Sequence, residues 1–259
     1  MKIFQHKLWG YEITLPDTWK HIAFNGKDGF AEDNEAFQES YEGEKLGHLL
    51  IQGEWNALQK PVEKIWKGHI SKTAMMLGAK KIGAAPWRMA GRSGLEVEIV
   101  LPKKNKKRLW AGILEHGMLV LSFVVLHWKT NRESFEPVVT EVISSLRFPP
   151  GVDGLSSTAE GIPLPPQVSP ADPAAMVDDI QEPERWQGFT TPHGVGPLQA
   201  FYTRELPNDE WEMLQYIPFP NTGGHPFAQI KARQGQKTIL VGVLPGDDSS
   251  SSAMIIIRV

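Results

Sequence analysis

The sequence predicts an α+β protein in which an antiparallel sheet is sandwiched by helices and a small C-terminal α+β domain follows. Three features favour this fold class: a strand run that is apolar on both faces, two segments with helical spacing of apolar residues, and several alternating strands joined by short turns. The 259 residues are enough for one large domain or two modest ones.

The run Met118–Leu126, MLVLSFVVL, predicts the central strand of the sheet. Val120 and Val124 point to one face and Phe123 and Val125 to the other, because successive side chains of a strand alternate. An exposed face would forfeit roughly 1.5–3 kcal/mol per large apolar side chain, so both faces must be covered. At about ten residues the run is half of the ~20 that a membrane-spanning helix needs, and we expect no integral membrane segment.

Two segments have the residue spacing of amphipathic helices. In Lys60–Leu77 an apolar stripe that includes His69 lies opposite a lysine-rich face. In Phe135–Leu146 the apolar residues recur at i, i+3, i+4, i+7, i+8 and i+11. Pro137 favours Ser134 as the N-cap of this second helix, because proline is tolerated in a first turn and breaks a helix interior.

Composition divides the chain into a domain over residues 1–150, a disordered linker over residues 151–185 and a small α+β domain over residues 186–259. The linker segment is rich in Pro, Ser and Ala, has 7 acidic residues against 1 basic residue, and contains scarcely any large apolar side chain. A structureless segment of this length is rare inside a compact domain. We therefore expect a flexible, Pro-rich acidic linker between two domains.

Several functional classes are disfavoured by composition and by missing motifs. The net charge of −3 argues against a nucleic-acid partner, and the absence of cysteine removes disulfides, thiolate nucleophiles and zinc–thiolate sites. Residues 1–16 alternate as strands and lack the apolar stretch of a signal peptide, so we expect a cytoplasmic protein. No phosphate-binding loop, dinucleotide fingerprint, nucleophile elbow or HExxH motif occurs. The sequence thus predicts no enzyme, no cofactor and no metal site.

The best candidate for an interaction site is a basic turn formed by Lys103, Lys104, Lys106, Lys107 and Arg108. Five cations in a short loop create a local positive field. Such a turn could attract an acidic protein partner, an anionic lipid surface or the chain's own acidic segment. The plainer interpretation, a solvated hairpin tip, is the commoner one.

Other titratable residues give weaker candidates. Glu96 and Glu98 share one strand face at about 7 Å, a spacing that paired catalytic carboxylates can use and that solvated acids adopt far more often. His48, His116 and His127 lie on strands and would form a metal site only if the strand register brought them together.

Nine tryptophans are many for this length. Most, such as Trp66 and Trp110, are expected in the core. Trp9, Trp55 or Trp87, if exposed, could instead rim a binding face.

Three marks in residues 1–148 characterise a known fold group. They are a Leu-Pro-x-x-Trp motif at Leu15, Pro16 and Trp19, the strand run LWAGILEHGMLVLSFVV, and a closing helix that ends in Ser145-Leu146-Arg147-Phe148. With these marks the segment resembles the PsbP-like fold, a group that includes the extrinsic photosystem II subunit, a nuclear Ran-binding relative and bacterial DcrB-type proteins. Residues 201–211, FYTRELPNDEW, are similar to part of a small bacterial domain.

The PsbP-like resemblance implies a non-catalytic protein-binding or scaffolding module of unknown partner, since the group contains few enzymes. One alternative is a DcrB-type chaperone or adaptor for a secreted effector, which would be a homodimer with an exposed apolar sheet face. A second alternative is an enzyme with an unrecognised site, which requires a pocket lined by at least two converging titratable groups.

Overall fold

The computed structural model describes residues 1–259 apart from residues 25–26, 34, 39–46, 72–74, 76–83, 101–106, 129–131, 150, 153, 179, 222 and 247–251. It divides into two compact units. The first comprises Met1–Gln5 and Glu12–Arg147, and the second comprises His6–Tyr11 and Phe148–Val259. Antiparallel sheets with a few helices form both units, which confirms the predicted α+β class.

The strands described in the first unit are β1 Lys2–Gln5, β2 Glu12–Leu15, β3 Lys20–Phe24, β4 Lys27–Ala31, β5 His48–Trp55, β6 Ala85–Met89, β7 Arg92–Val100, β8 Lys107–His116 and β9 Leu119–Trp128. β1 and β2 pair as a two-stranded sheet. The other strands form a seven-stranded sheet in the order β3-β4-β5-β9-β8-β7-β6, and neighbours are antiparallel throughout.

β9 is the fourth of the seven strands and is buried on both faces, as the sequence predicts. Val120 and Phe123 lie on opposite faces and are 1% and 0% exposed. Val120 belongs to an apolar cluster with Ile65 and Trp66. The ring of Phe123 lies 5.6 Å from that of Trp87, between centroids. The two-sided central strand is therefore confirmed.

Helices cover both faces of this sheet. The described helices of the first unit are α1 Glu35–Gln38, α2 Val62–Trp66 and α3 Arg132–Ser144. Ile65 and Trp66 of α2 pack on the Val120 face. α3 packs on the opposite face, where the rings of His127 and Phe135 are 6.2 Å apart. This arrangement confirms the predicted sandwich.

The segment predicted as one helix over Lys60–Leu77 is α-helical over Val62–Trp66 and continues as a π-helical turn over Lys67–Ser71. Residues 72–74 and 76–83 lie outside the described residues. A π turn uses i→i+5 hydrogen bonds, so it shifts the apolar stripe relative to an α-helix. His69, which was expected on the buried stripe, is partly exposed, and its Nε2 lies 3.4 Å from Oε2 of Glu54.

α3 begins before the predicted N-cap Ser134, so Pro137 lies inside the helix and the predicted start is wrong. Pro137 has no N–H to donate to the carbonyl of Glu133, so the helix lacks one hydrogen bond near its start. An ion pair between Arg132 and Glu136, at 2.6 Å, links residues one turn apart at this end. The buried residues of α3 follow the predicted stripe: Val139, Val142 and Ile143.

The strands described in the second unit are β10 Ser156–Ser157, β11 Pro163–Leu164, β12 Ser169–Ala171, β13 Trp186–Thr191, β14 Glu212–Ile217, β15 Ala228–Gln234, β16 Lys237–Pro245 and β17 Ala253–Arg258. Six of them form an antiparallel sheet in the order β12-β13-β17-β16-β15-β14, and β10 pairs with β11. The helix α4, Val195–Asn208, packs Leu198, Phe201 and Tyr202 into the core of this unit. The α+β architecture predicted for the C-terminal part is confirmed.

Residues 151–185 are not a disordered linker where the structure describes them. Val152, Ile162 and Leu164 are at most 5% exposed and belong to the core of the second unit. β12 pairs with β13, and the Asp172 carboxylate accepts a hydrogen bond from the backbone N–H of Ala174. The composition was misleading because backbone pairing and a few well-spaced apolar residues order the segment. The division into domains over residues 1–150 and 186–259 stays a prediction.

Candidate binding pocket

Aromatic and acidic side chains meet on the face of the seven-stranded sheet that α3 covers, which we call the pocket face. Strand register brings them together. Glu98 of β7 lies opposite Trp110 of β8. Glu96 lies opposite Gly112, which in turn lies opposite Phe123 of β9. Directly opposed residues of antiparallel strands project from the same face, so all five belong to the pocket face.

A cavity of about 270 Å³ lies between the pocket face and α3. Its lining includes the exposed residues Glu98 and Thr140, and also the buried residues Val125, His127 and Val139. The cavity therefore passes from a polar opening to an apolar interior.

Two tryptophans form the aromatic part of the lining. The rings of Trp87 and Trp110 are 5.3 Å apart, between centroids, at an angle of 80°. Trp87 also contacts Phe123 edge to face, at 82°. Gly112 leaves the space that this arrangement needs, because a Cβ there would lie 2.7 Å from the Trp110 ring and 3.0 Å from the Trp87 ring.

Each of the three carboxylates in the lining accepts a hydrogen bond from a fixed donor. Trp110 Nε1 donates to Oε2 of Glu96 at 3.0 Å. The guanidinium of Arg108 donates to Glu98 at 2.5 Å. The hydrogen bond from Arg132 is the main cause that lowers the pKa of Glu136. Glu136 is therefore held ionised near neutral pH.

A second, more open depression continues from the cavity along α3. Arg132, Glu133 and Pro137 line it, and it shares Glu136 and Thr140 with the cavity. Together the two hollows extend the pocket face along one side of the helix. An extended segment of another chain could lie there.

Only part of the predicted basic turn belongs to the described residues. Lys103, Lys104 and Lys106 lie outside them, and Lys107 is the first residue of β8. Arg108 lies on β8 and forms the ion pair with Glu98. The basic turn as an interaction site stays a prediction.

The three strand histidines do not converge. His48 lies opposite Leu126, the neighbour of His127, so His48 and His127 project from opposite faces. His116 lies opposite Leu119, at the far end of β8 and β9 from His127. In the described part of the chain, no group of three or more histidine, aspartate or glutamate side chains could hold a metal ion.

The sequence pointed to some of the cavity residues and missed others. Trp87 was a candidate for the rim of a binding face, and Glu96 with Glu98 was a candidate pair; all three line the cavity. Trp110 was expected in the core and is half-buried in the lining instead. Glu136 was missed, because no signal in one sequence shows which strand a helix residue faces.

Comparison with solved structures finds proteins of similar fold. One is the cyanobacterial PsbP protein of Synechocystis sp. PCC 6803, with 12% identity and a TM-score of 0.42 over 57% of this chain and 91% of that chain. Another is the Ran-binding protein Mog1p of Saccharomyces cerevisiae, with 7% identity and a TM-score of 0.40 over 57% of this chain and 94% of that chain. LpqN of Mycobacterium tuberculosis, involved in cell envelope biogenesis, has 8% identity and a TM-score of 0.41 over 57% of this chain and 90% of that chain. The PsbP-like resemblance expected from the sequence is thus found among solved structures.

No protein-family model matches the sequence, and no curated protein matches it significantly. Across the residues that the structure describes, every helix is too short or too polar to span a lipid bilayer.

Proposed function

We propose that the protein is a non-catalytic binding module that receives a segment of a partner protein on the pocket face. The observation that carries the proposal is the open cavity whose two tryptophans and three carboxylates are each fixed by neighbours of the same unit. Pre-organised aromatic side chains beside polar groups are typical of the central contacts of protein interfaces. The adjoining depression along α3 gives the partner segment a path across the surface.

The chemistry of the carboxylates favours binding over proton transfer. A pair of catalytic carboxylates needs one group that is protonated and one that is ionised at the working pH. Glu98 is instead engaged by Arg108, and Arg132 lowers the pKa of Glu136. The enzyme alternative is therefore less well supported than a binding function.

The chaperone or adaptor alternative is also less well supported. It calls for an apolar sheet face that is open to an effector. In this chain Leu121, Phe123 and Val125 on one face of β9 are at most 2% exposed, and so is Val120 on the other. A partner would meet a discrete cavity rather than a broad apolar surface.

Site-specific photo-crosslinking in cells of the source organism tests the proposal. A photoreactive residue placed at Thr140 would lie at the cavity, whereas one at Glu141, also exposed and next on α3, would lie outside its lining. We expect one protein to be captured from position 140 and not from position 141, and the purified pair to bind. Equal capture from both positions, or capture of a second copy of this chain, would contradict the proposal.

A further inference from the structure

We propose that the cavity on the pocket face binds a cationic side chain, lysine or arginine, of the partner protein; this inference rests on the function proposed above. Charge is the first reason. The lining holds three carboxylates, and two of them, Glu98 and Glu136, pair with Arg108 and Arg132. Among the ion pairs of the described residues none involves Glu96, whose carboxylate accepts the Trp110 N–H instead.

The tryptophan rings are the second reason. Trp87 and Trp110 meet nearly at right angles and form a corner of two aromatic walls. The N–H of Trp110 is directed to Glu96, so this carboxylate stands at the edge of one wall. A cation within about 6 Å of a tryptophan face is attracted by the ring quadrupole, and a charge-assisted hydrogen bond to a carboxylate adds to that attraction.

The apolar interior is the third reason. Val125, Val139 and Ile143 in the lining are buried. Lysine and arginine bury their methylene stems along apolar surface while the charged end contacts polar groups, which matches this combination. The volume of about 270 Å³ lies near the lower end of the roughly 300–1,000 Å³ of small-molecule sites, so a side chain of this kind can enter.

A purely structural role for Glu96 leads to a different expectation. If its carboxylate serves only to hold the Trp110 ring in place, the cavity has no preference between a charged ligand and a neutral ligand of similar shape. The two roles can therefore be separated by ligands that differ only in charge.

The test uses the intact chain and two capped amino acids, Nα-acetyl-lysine N-methylamide and its norleucine counterpart, which has the same hydrocarbon stem without the ammonium group. Binding is followed by NMR through the indole ¹H–¹⁵N signals of Trp87 and Trp110. We expect the lysine compound to shift both signals saturably and the norleucine compound to bind at least about fivefold more weakly. Equal affinity for the two, or no shift with either the lysine compound or its arginine counterpart, would overturn the inference.

Two variants refine the comparison. Glu96→Gln keeps an oxygen that can accept the Trp110 hydrogen bond and removes the charge, so it should weaken lysine binding by about fivefold or more. Glu141→Gln removes a carboxylate from an exposed position of α3 outside the lining and should leave binding unchanged. If Glu96→Gln does not fold, the comparison of the two ligands on the natural chain still decides the question.

Failure of this inference is distinguishable from failure of the proposed function. If the lysine compound binds no more tightly than the norleucine compound, while the photoreactive residue at position 140 still captures one partner, the inference of a cationic side chain is wrong. The proposed binding of a partner protein then stands. If crosslinking at Thr140 is also unselective, both are wrong.

Discussion

The indole N–H of Trp110 donates a hydrogen bond, at 3.0 Å, to the carboxylate of Glu96 on the neighbouring strand. The two residues are diagonal neighbours, since Trp110 lies directly opposite Glu98 and Glu96 directly opposite Gly112. This bond fixes an aromatic ring and a carboxylate side by side in the lining of one cavity. The proposed recognition of a cationic side chain depends on that pairing.

Replacement of Trp110 by phenylalanine removes the donor and keeps an aromatic ring. We expect Trp110→Phe to lower the free energy of unfolding by about 1.5–3 kcal/mol, because a half-buried hydrogen bond to a carboxylate is lost. Urea unfolding measures the difference. Trp87→Phe leaves the bond between Trp110 and Glu96 intact and is the matched control, so it should lower the free energy of unfolding by less. A larger decrease in the control would count against a stabilising role of this bond.

Gly112 makes room for the two tryptophans. Gly112→Ala places a methyl group 2.7 Å from the Trp110 ring and 3.0 Å from the Trp87 ring. We expect this overpacking to lower the free energy of unfolding by about 1–3 kcal/mol. It should also weaken binding at the cavity. Gly68, in the π-helical turn, has open space at its Cβ position. Gly68→Ala should be neutral or slightly stabilising in the same unfolding measurement. Equal effects at the two glycines would refute the packing argument.

The order of residues 151–185 can be tested with two leucines of the same segment. Leu164 is 5% exposed in the core of the second unit, whereas Leu155 is 55% exposed. Leu164→Ala should lower the free energy of unfolding by about 2–5 kcal/mol, because truncation inside a core leaves a cavity. Leu155→Ala should lower it much less. Thermal or urea unfolding provides the measurement. Small changes in the free energy of unfolding at both positions would instead support the flexible linker that the composition predicts.

The lowered pKa of His116 predicts that the free energy of unfolding depends on pH. Burial, with a further contribution from Arg92, lowers its pKa from 6.5 to about 4. A base whose pKa is lower in the folded state binds more protons when unfolded, so its contribution to stability falls as the pH falls from about 6.5 to about 4.

Replacement of His116 by asparagine should remove this dependence. The midpoint of urea unfolding should drop less between about pH 7 and about pH 5 in His116→Asn than in the natural chain. An identical drop in both proteins would show that His116 is not the group responsible.

The sequence predicted the framework of the first unit because its signals are local. Alternation in Met118–Leu126 places Val120 and Phe123 on opposite faces, and the apolar spacing of α3 survives in the burial of Val139, Val142 and Ile143. Such patterns need no knowledge of the rest of the fold. The start of α3 was harder to predict, because the usual placement of proline favours Ser134 as the N-cap, whereas the helix begins before it and includes Pro137.

Only some of the residues that line the cavity could be predicted, because the others are brought there by the strand register. The two-residue period showed that Glu96 and Glu98 share a face. One sequence does not show that β8 places Trp110 beside them or that α3 brings Glu136 over the same strands. The ordered segment over residues 151–185 was missed for a related reason: its strand pairing with β13 is a long-range contact that leaves no compositional trace.

The affinity of the crosslinked partner for two tryptophan variants tests the central claim most directly. Trp87 lines the cavity, whereas Trp186 lies in the second unit beside Arg258. Measured by isothermal titration calorimetry on the intact chain, Trp87→Ala should lower the affinity by about tenfold or more, as expected for an aromatic residue at the centre of an interface, and Trp186→Ala should leave it unchanged. Unchanged affinity for Trp87→Ala, in a variant that remains folded, would contradict the account.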